Sequence, residues 1–345
     1  MSFSASLAYF ESYSYFFKQT LFIIVALAAG LGILNTPISV LQKYSIPLFI
    51  LSIVLLIVVF FPKPIGHEVN GSSRWINFVF FKFQPSELMK LSMILFMAGF
   101  LIRQEKDVRK PWMGFVKTMA IIFVAVILVV TEKDIGATLI ISMTAMAMLF
   151  AAGTYLKQLA YFIPGAIITT SIIVYFEQNR FLRVMEYLTD PSQVHQTWQA
   201  LIGIARGGWF GTGLGGGIQK YSLLPEPQTD MIFAIIGEEL GILGMLFVLL
   251  SYAYILGKGF NIAKIALKKG RKYSSYVAFG ICTWFAMQVT VNIGVNLGLL
   301  PVTGFTLPLI SYGGSSMIIS IISLAILLRV DMESRTNYSK QIKYV

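Results

Sequence analysis

The sequence predicts an all-α polytopic membrane protein of about nine transmembrane helices with one large extracytoplasmic loop. Three observations predict it. Hydrophobic residues make up 56% of the 345 positions and charged residues only 12%, against roughly 25% charge in an ordinary soluble domain. The mean hydropathy is +0.74, and the apolar residues gather into runs close to the ~20 residues that cross a bilayer as a helix. The basic residues gather in short links between those runs, which is how membrane topology is written.

The runs lie at 16–36, 46–62, 85–102, 112–131, 135–152, 156–176, 230–257, 274–298 and 306–329. The links holding Arg103, Lys106, Arg109 and Lys110, then Lys258, Lys264, Lys268, Lys269, Arg271 and Lys272, and the tail with Arg329, Arg335, Lys340 and Lys343 all fall on one side when nine spans alternate. The positive-inside rule makes that side cytoplasmic and places the C-terminus there. The N-terminus is then outside. Met1 to Phe17 lacks a basic leading region and is interrupted by Glu11, so no cleavable leader is expected. The outer face receives Lys63 to Phe83, a short link at Glu132 to Gly136, the long segment 177–229 and the turn from Gly298 to Phe305. A connection as long as 177–229 is far above the usual length and is generally functional. No internal repeat or low-complexity tract appears, and 1–345 reads as a single integral membrane domain.

Composition excludes several classes. A net charge of +11 suits nucleic acid only when it clusters on one face, and here it marks loops, so no nucleic-acid partner is expected. Cys282 is the one cysteine, so no intrachain disulfide can form. His67 and His195 are the two histidines, with no ligand-like spacing for zinc. The glycine-rich run Gly207 to Gly217 has no βαβ context and no following GK[ST], so it reads as a flexible loop close to a substrate or partner rather than a nucleotide site. Trp198 and Trp209 are interface anchors by type.

Four polar motifs interrupt the apolar runs: QPSELMK (Gln84 to Lys90), EKDIG (Glu132 to Gly136), PEPQTDMIFAIIGEELG (Pro225 to Gly241) and NIGVNLGLLPVTGFTLPLISYGGSS (Asn292 to Ser316). Ionisable groups at membrane depth are costly and usually face a cavity or a partner. All four motifs open to the outer face, which suggests one polar site there. Asp230 opens an apolar helix, either as a helix-terminal acid or as a general base at the water boundary. Glu238 and Glu239 lie about 12 Å deeper at 1.5 Å per residue and suit pairing with buried donors. Glu87 and Lys90, three apart, share a helix face, with Pro85 in the first turn. They form either an interfacial ion pair or a polar cradle, with Lys90 for a phosphate or sugar oxygen. Asp134 caps a tight turn, or joins Glu87 in holding a divalent cation, since hard cations favour oxygen ligands. Glu132 and Lys133 read as solvated. Gln288, Asn292 and Asn296 recur every four residues, and a polar stripe in lipid must turn inward as glue between helices. Pro301 to Ser316 is rich in Gly, Pro, Ser and Thr. Irregular backbone of that kind at membrane depth lines a cavity or is buried by protein.

These motifs resemble those of the SEDS proteins, the peptidoglycan polymerases of the FtsW and RodA type. NGSSRWI (Asn70 to Ile76) followed by QPSELMK is similar to the family's NGxxRWI…QPSExxK, and the Pro225 and Asn292 motifs are similar to its other two signatures. The likeness runs from about Ser4 to Leu328. The loop Gln199 to Glu226 is more similar to the FtsW type than to the RodA type. Two departures stand out. The family's QPDxG link reads Glu132-Lys133-Asp134-Ile135-Gly136 here. The family's first helix ends in a YSAS-like motif, whereas Phe3-Ser4-Ala5-Ser6 follows Met1 directly, so the family's ten-helix fold is expected with its first helix missing.

The resemblance implies an inverting glycosyltransferase that polymerises lipid II into glycan strands on the outer face of the cytoplasmic (inner) membrane during cell division, releasing the lipid pyrophosphate. It implies Asp230 as the base for the acceptor hydroxyl. Arg74, Lys90 and Arg206 are implied partners of the pyrophosphate, with Glu87, Asp134 and Ser311 completing the substrate site. A divalent cation (Mg or Mn) at Glu87 and Asp134, no organic cofactor, a class B penicillin-binding transpeptidase and other division proteins complete the expectation. A RodA-like elongation role, a lipid II flippase and a non-catalytic division scaffold are the alternatives.

Overall fold

A computed structural model describes residues 14–61, 66–69, 72–77, 82–105, 113–154, 185, 195–221, 224 and 227–342. The run expected at 156–176, the motif Phe3 to Ser6 and residues Asn70, Lys106, Arg109, Lys110, Glu226 and Lys343 lie outside them, as does most of the long segment before residue 195. Nine helices are present among the described residues: α1 Ser14–Asn35, α2 Ile38–Val58, α3 Pro85–Arg103, α4 Met113–Thr131, α5 Ile135–Ala151, α6 His195–Gly207, α7 Ile232–Lys268, α8 Lys272–Asn296 and α9 Gly314–Ile342. Six of these, α1, α2, α3, α7, α8 and α9, are long and apolar enough to cross a bilayer, and α4 and α5 supply shorter apolar helices. The chain is a multi-pass, α-helical membrane protein.

Three expected boundaries move. The run placed at 46–62 begins at Ile38, because Pro37 is extended and stops any earlier start (φ −66°, ψ 146°), while Gln42 and Lys43 sit inside the first two turns. The run placed at 306–329 begins as a helix only at Gly314, since the Pro308-bearing segment before it is irregular. The run placed at 230–257 continues to Lys268, and its basic end suits the negative pole of a helix. The segment 66–83 also carries a small antiparallel sheet, β1 Gly66–Val69, β2 Ser72–Asn77 and β3 Lys82–Phe83, in the order β1-β2-β3. His67 faces Trp75, and a bulge follows it before Glu68 meets Ser73.

The described residues fall into two compact units. One draws on Met1–Ile24, Pro164–Ile255 and Ala286–Gly313, the other on Val25–Ile163, Leu256–Phe285 and Gly314–Val345. The first is built on an apolar cluster of Ile232, Phe233, Ile236, Tyr252, Ile293 and Leu307. In the second, α3 is the enclosed helix, buried along most of its length. It packs on α2 through a Phe49–Phe96 ring stack at 4.5 Å and a Ser52–Ser92 hydroxyl bond of 2.7 Å. By contrast Leu27, Leu31, Ile50, Val54 and Ile57 of α1 and α2 are exposed. That is the arrangement expected where the solvent is lipid. Glu333 on α9 ties several links together, accepting from the Ile38 N–H at 2.9 Å, Arg329 Nε at 3.0 Å and Arg271 Nη1 at 3.3 Å.

Candidate functional site

Asp230 ends the turn that leads into α7 and is half-buried. It stands on a pedestal made by the two regions that the sequence marks as polar. The carbonyls of three successive residues are taken up in turn. Gln228 O accepts from the Tyr312 N–H at 2.9 Å. Thr229 O accepts from Ser311 Oγ at 2.5 Å. Asp230 O accepts from Asn292 Nδ2 and from Asn296 Nδ2, each at 2.9 Å. Buried carbonyls left unpaired would each cost about 1–3 kcal/mol, so this segment is fixed by its own backbone. The carboxylate Oδ1 accepts from Thr229 Oγ1 at 3.1 Å. Gln288, one turn further along the stripe, donates to Thr306 O at 2.8 Å. The stripe of Gln288, Asn292 and Asn296 thus turns inward as glue, as expected, but it bonds chiefly backbone groups, the carbonyls of irregular segments and the Ala234 N–H of α7, rather than side chains of another helix.

Ser311, expected to touch substrate, has a backbone task. Besides donating to Thr229, its hydroxyl accepts from the Leu307 N–H at 2.6 Å. This closes the Pro308-Leu309 turn, in which Leu309 adopts φ +68°, a left-handed conformation that is unusual for a bulky residue. The Tyr252 hydroxyl donates to Pro308 O and holds the turn from the other side.

The glycine-rich run is not a free loop. α7 breaks at Gly241, with φ +67° and ψ −167°, and the run threads through the break. Thr212 N donates to Glu238 O at 2.9 Å and Gly213 N to Glu239 O at 3.1 Å. On the far side, Ile242 N donates to Gly208 O at 2.9 Å and Leu243 N to Trp209 O at 3.3 Å. A helix end leaves carbonyls and N–H groups without partners, and here one strand of backbone satisfies both new ends. Such an approach requires residues without a Cβ. One added to Gly207 would lie 2.0 Å from Gly237 O, and one added to Gly211 would lie 2.2 Å from Glu239 O. The carboxylates below complete the clasp. Glu238 accepts from the Ile218 N–H at 2.8 Å, the Gln219 N–H at 3.2 Å and Arg206 Nη1 at 3.1 Å. Glu239 accepts from Lys220 Nζ at 2.7 Å. Arg206, expected at a pyrophosphate, is therefore bound to Glu238. Trp198 and Trp209 are exposed.

A separate polar cluster occupies the other unit. Pro85 starts α3, and Glu87 lies in its first turn. Lys90 Nζ donates to Glu87 Oε1 at 2.9 Å, both side chains being almost wholly buried. The ammonium also lies 5.1 Å from the centre of the Trp284 ring, within reach of a cation–π attraction. Lys90, Thr144 and Trp284 help line a void of about 10 Å³. Asp134 is the N-cap of α5. Its Oδ1 accepts from the Ala137 N–H at 3.1 Å, and its Oδ2 accepts from Gln84 Nε2 at 3.0 Å and Ser86 Oγ at 3.1 Å. Arg74 on β2 donates to Lys133 O. Glu132 departs from its expected solvated state. It is 0% exposed, and among the described residues neither carboxyl oxygen has a hydrogen-bond partner. Burial pushes its pKa up to about 9, with the Asp134 charge adding to the rise and Arg74 opposing it. Among the described residues no group of three or more His, Cys, Asp or Glu is placed to hold a metal ion.

Sequence reasoning singled out Asp230, Glu87, Lys90 and Asp134, but missed Lys220 and Trp284. Lys220 carried no signal, because its partner lies in a helix 19 residues on and the loop between has no period. Trp284 sits in an apolar run where a tryptophan is unremarkable.

An apolar helical array carrying buried polar clusters defines a multi-pass membrane protein. The chain matches the FtsW, RodA and SpoVE family of cell cycle proteins over residues 1–336, and it belongs to that family. It is 42% identical over 330 residues to a probable peptidoglycan glycosyltransferase FtsW of Legionella pneumophila, spanning 94% of this chain and 83% of that protein. It is 39% identical to the corresponding protein of Tolumonas auensis, over 95% of this chain and 86% of the other. Among solved structures it is similar to a chain from a study of the structural coordination of polymerization and crosslinking by a peptidoglycan synthase complex. The TM-score is 0.77 and the identity 26%, covering 92% of this chain and 89% of that one. The rod shape determining protein RodA of Thermus thermophilus shares the fold, with a TM-score of 0.70 at 23% identity over 96% and 91% of the two chains.

Proposed function

We propose that this protein is a peptidoglycan glycosyltransferase of the division type, which joins lipid II units into glycan strands, with Asp230 as the base. Relatives about 40% identical over nearly the whole chain support the activity and its division role. One observation carries the assignment of the base: three consecutive carbonyls, at Gln228, Thr229 and Asp230, are pinned by Tyr312, Ser311, Asn292 and Asn296. A base must keep its reach to a fixed proton more than it must have an unusual pKa, and a pinned backbone preserves that reach.

In the reaction, the Asp230 carboxylate takes the proton of an acceptor sugar hydroxyl as that oxygen attacks the anomeric carbon of the donor. The carbon–oxygen bond to the lipid pyrophosphate breaks, and the electron pair leaves with the phosphate. A single displacement of this kind inverts the anomeric centre, with positive charge growing on the sugar as in glycoside hydrolysis. The acceptor site faces the extracytoplasmic side and the C-terminus the cytoplasm, following the basic links. A class B penicillin-binding transpeptidase is the expected partner, since the similar solved chain comes from a complex that couples polymerization with crosslinking.

For a divalent cation at Glu87 and Asp134 the donors are only partly open. Glu87 Oε1 receives an ammonium, while its Oε2 has no hydrogen-bond partner among the described residues. The two Asp134 oxygens receive three hydrogens, which a cation bound to both carboxylates would have to displace. Ser311 and Arg206 are bound to protein groups and have no assigned part in substrate contact.

The test is polymerisation of labelled lipid II by the purified protein with its transpeptidase, comparing wild type with Asp230→Ala at equal folded amounts. Glycan strands from wild type alone support the assignment. Equal strands from both remove Asp230 from the base role, and no strands from either folded complex favour a flippase or scaffold.

A further inference from the structure

Asn296 does more than glue α8 to its neighbour. Asp230 and Ala234 stand four residues apart at the entrance of α7, the spacing at which the Ala234 N–H would donate to the Asp230 carbonyl in a continuing helix. That bond is not made. The Ala234 N–H donates to Asn296 Oδ1 at 2.9 Å, and Asn296 Nδ2 donates to Asp230 O at 2.9 Å. One carboxamide therefore replaces the first helical bond, its acceptor serving the N–H and its donor serving the carbonyl. Side chains inserted into the ladder in this way bend or end a helix. Here the insertion lets the ladder begin one residue later, at Met231 O, which accepts from the N–H groups of Ala234 and Ile235 at 3.2 and 3.3 Å. Asp230 is left outside the helix. Asn292 Nδ2 fills the second acceptor position on the same carbonyl, so water is not needed to complete it. Asn296 is itself 0% exposed and Asn292 1%.

We infer that Asn296 is the positioning residue for Asp230, holding it out of α7 so that its carboxylate points where the helix would not let it. This rests on the reading of Asp230 as the base. The requirement is chemically narrow. A donor and an acceptor must sit on one short planar group. Leu matches Asn in size and offers neither; Asp offers no donor. When both bonds are removed together, the freed Ala234 N–H and Asp230 carbonyl can bond each other, so the helix gains a residue and Asp230 turns with it. Activity falls without a matching fall in stability, which separates positioning from simple glue.

The experiment compares wild type, Asn296→Leu, Asn292→Leu and Asp230→Asn in the full-length protein with its transpeptidase, reading kcat and KM for lipid II and the apparent melting temperature. For Asn296→Leu the expected result is a fall in kcat of about 100-fold, the scale of a 1 Å displacement of a catalytic group, with KM within about twofold and the melting temperature held. Asn292→Leu, which removes one of the two donors and leaves the Ala234 bond intact, is expected to lose several-fold less. A lowered melting temperature with unchanged kcat, or a rise in KM at unchanged kcat, overturns the inference. If Asn296→Leu does not fold, Asn292→Leu decides: full kcat in that variant is also against it. Full activity of Asp230→Asn sinks the base reading itself. An inactive Asp230→Asn beside fully active Asn296→Leu and Asn292→Leu sinks only the positioning role.

Discussion

Lys220 and Glu239 meet at 2.7 Å with 1% and 0% of their side chains exposed. The ammonium also donates to Gly215 O at 2.8 Å, so a single buried cation joins the glycine-rich loop to the last turn before the break in α7. Removing one member of such a pair leaves the other charged and dry, at a cost of about 3–5 kcal/mol. Glu239→Ala is therefore expected to lower the melting temperature sharply. Changing both residues together to apolar ones of similar size should recover most of the loss. Thermal denaturation of the two variants in detergent checks this. If the double variant is no better than the single, the penalty does not come from an orphaned charge.

The glycines of that loop are not equivalent. Gly211 and Gly213 both have positive φ, +81° and +92°, so an alanine at either is strained. They differ in space. A Cβ on Gly211 would meet Glu239 O at 2.2 Å, whereas one on Gly213 meets nothing within 4 Å. Gly213→Ala should cost about 1–2 kcal/mol, the backbone penalty alone. Gly211→Ala should cost clearly more, because the neighbouring backbone has to move and the Thr212 and Gly213 bonds to α7 go with it. Equal losses, measured by the same thermal assay, would mean that the loop does not thread the break in solution.

The legible parts of this fold and site are those with a local or periodic cause. Pro85 in a first turn, Asp134 as a cap and the four-residue recurrence of Gln288, Asn292 and Asn296 are each written within one helix length, and each is found where expected. The break at Gly241 is not legible. A glycine inside an apolar run reads as tolerated, and its reason lies 30 residues earlier, in a loop that needs a gap to pass through. The small sheet at 66–83 was hidden because a strand of two to six residues gives too few alternations to be told from a loop. The exchange of one helical bond for the Asn296 carboxamide depends on two segments more than 60 residues apart. The burial of Glu132 is not legible, because a charged residue beside a lysine in a short link looks solvated. The lysine is exposed, while the carboxyl is folded inward.

That inward carboxyl makes stability depend on pH in a stated direction. Glu132 ionises at an ordinary 4.5 when unfolded and at about 9 in the folded protein, principally because burial disfavours the charge and secondarily because Asp134 is near. Between those values the folded state holds a proton that the unfolded state has released. Stability then falls as pH rises through that window and reaches its floor above about 9. Below pH 4.5 both states are protonated and the residue exerts no pH dependence. Glu132→Gln keeps the shape and hydrogen-bonding capacity of the neutral acid and cannot ionise. It is expected to match wild type near pH 5, to exceed it increasingly toward pH 9 and to flatten the slope between them. Melting curves at four or five pH values in one buffer series decide the matter. A wild-type slope that survives unchanged in Glu132→Gln would assign the pH dependence to another group.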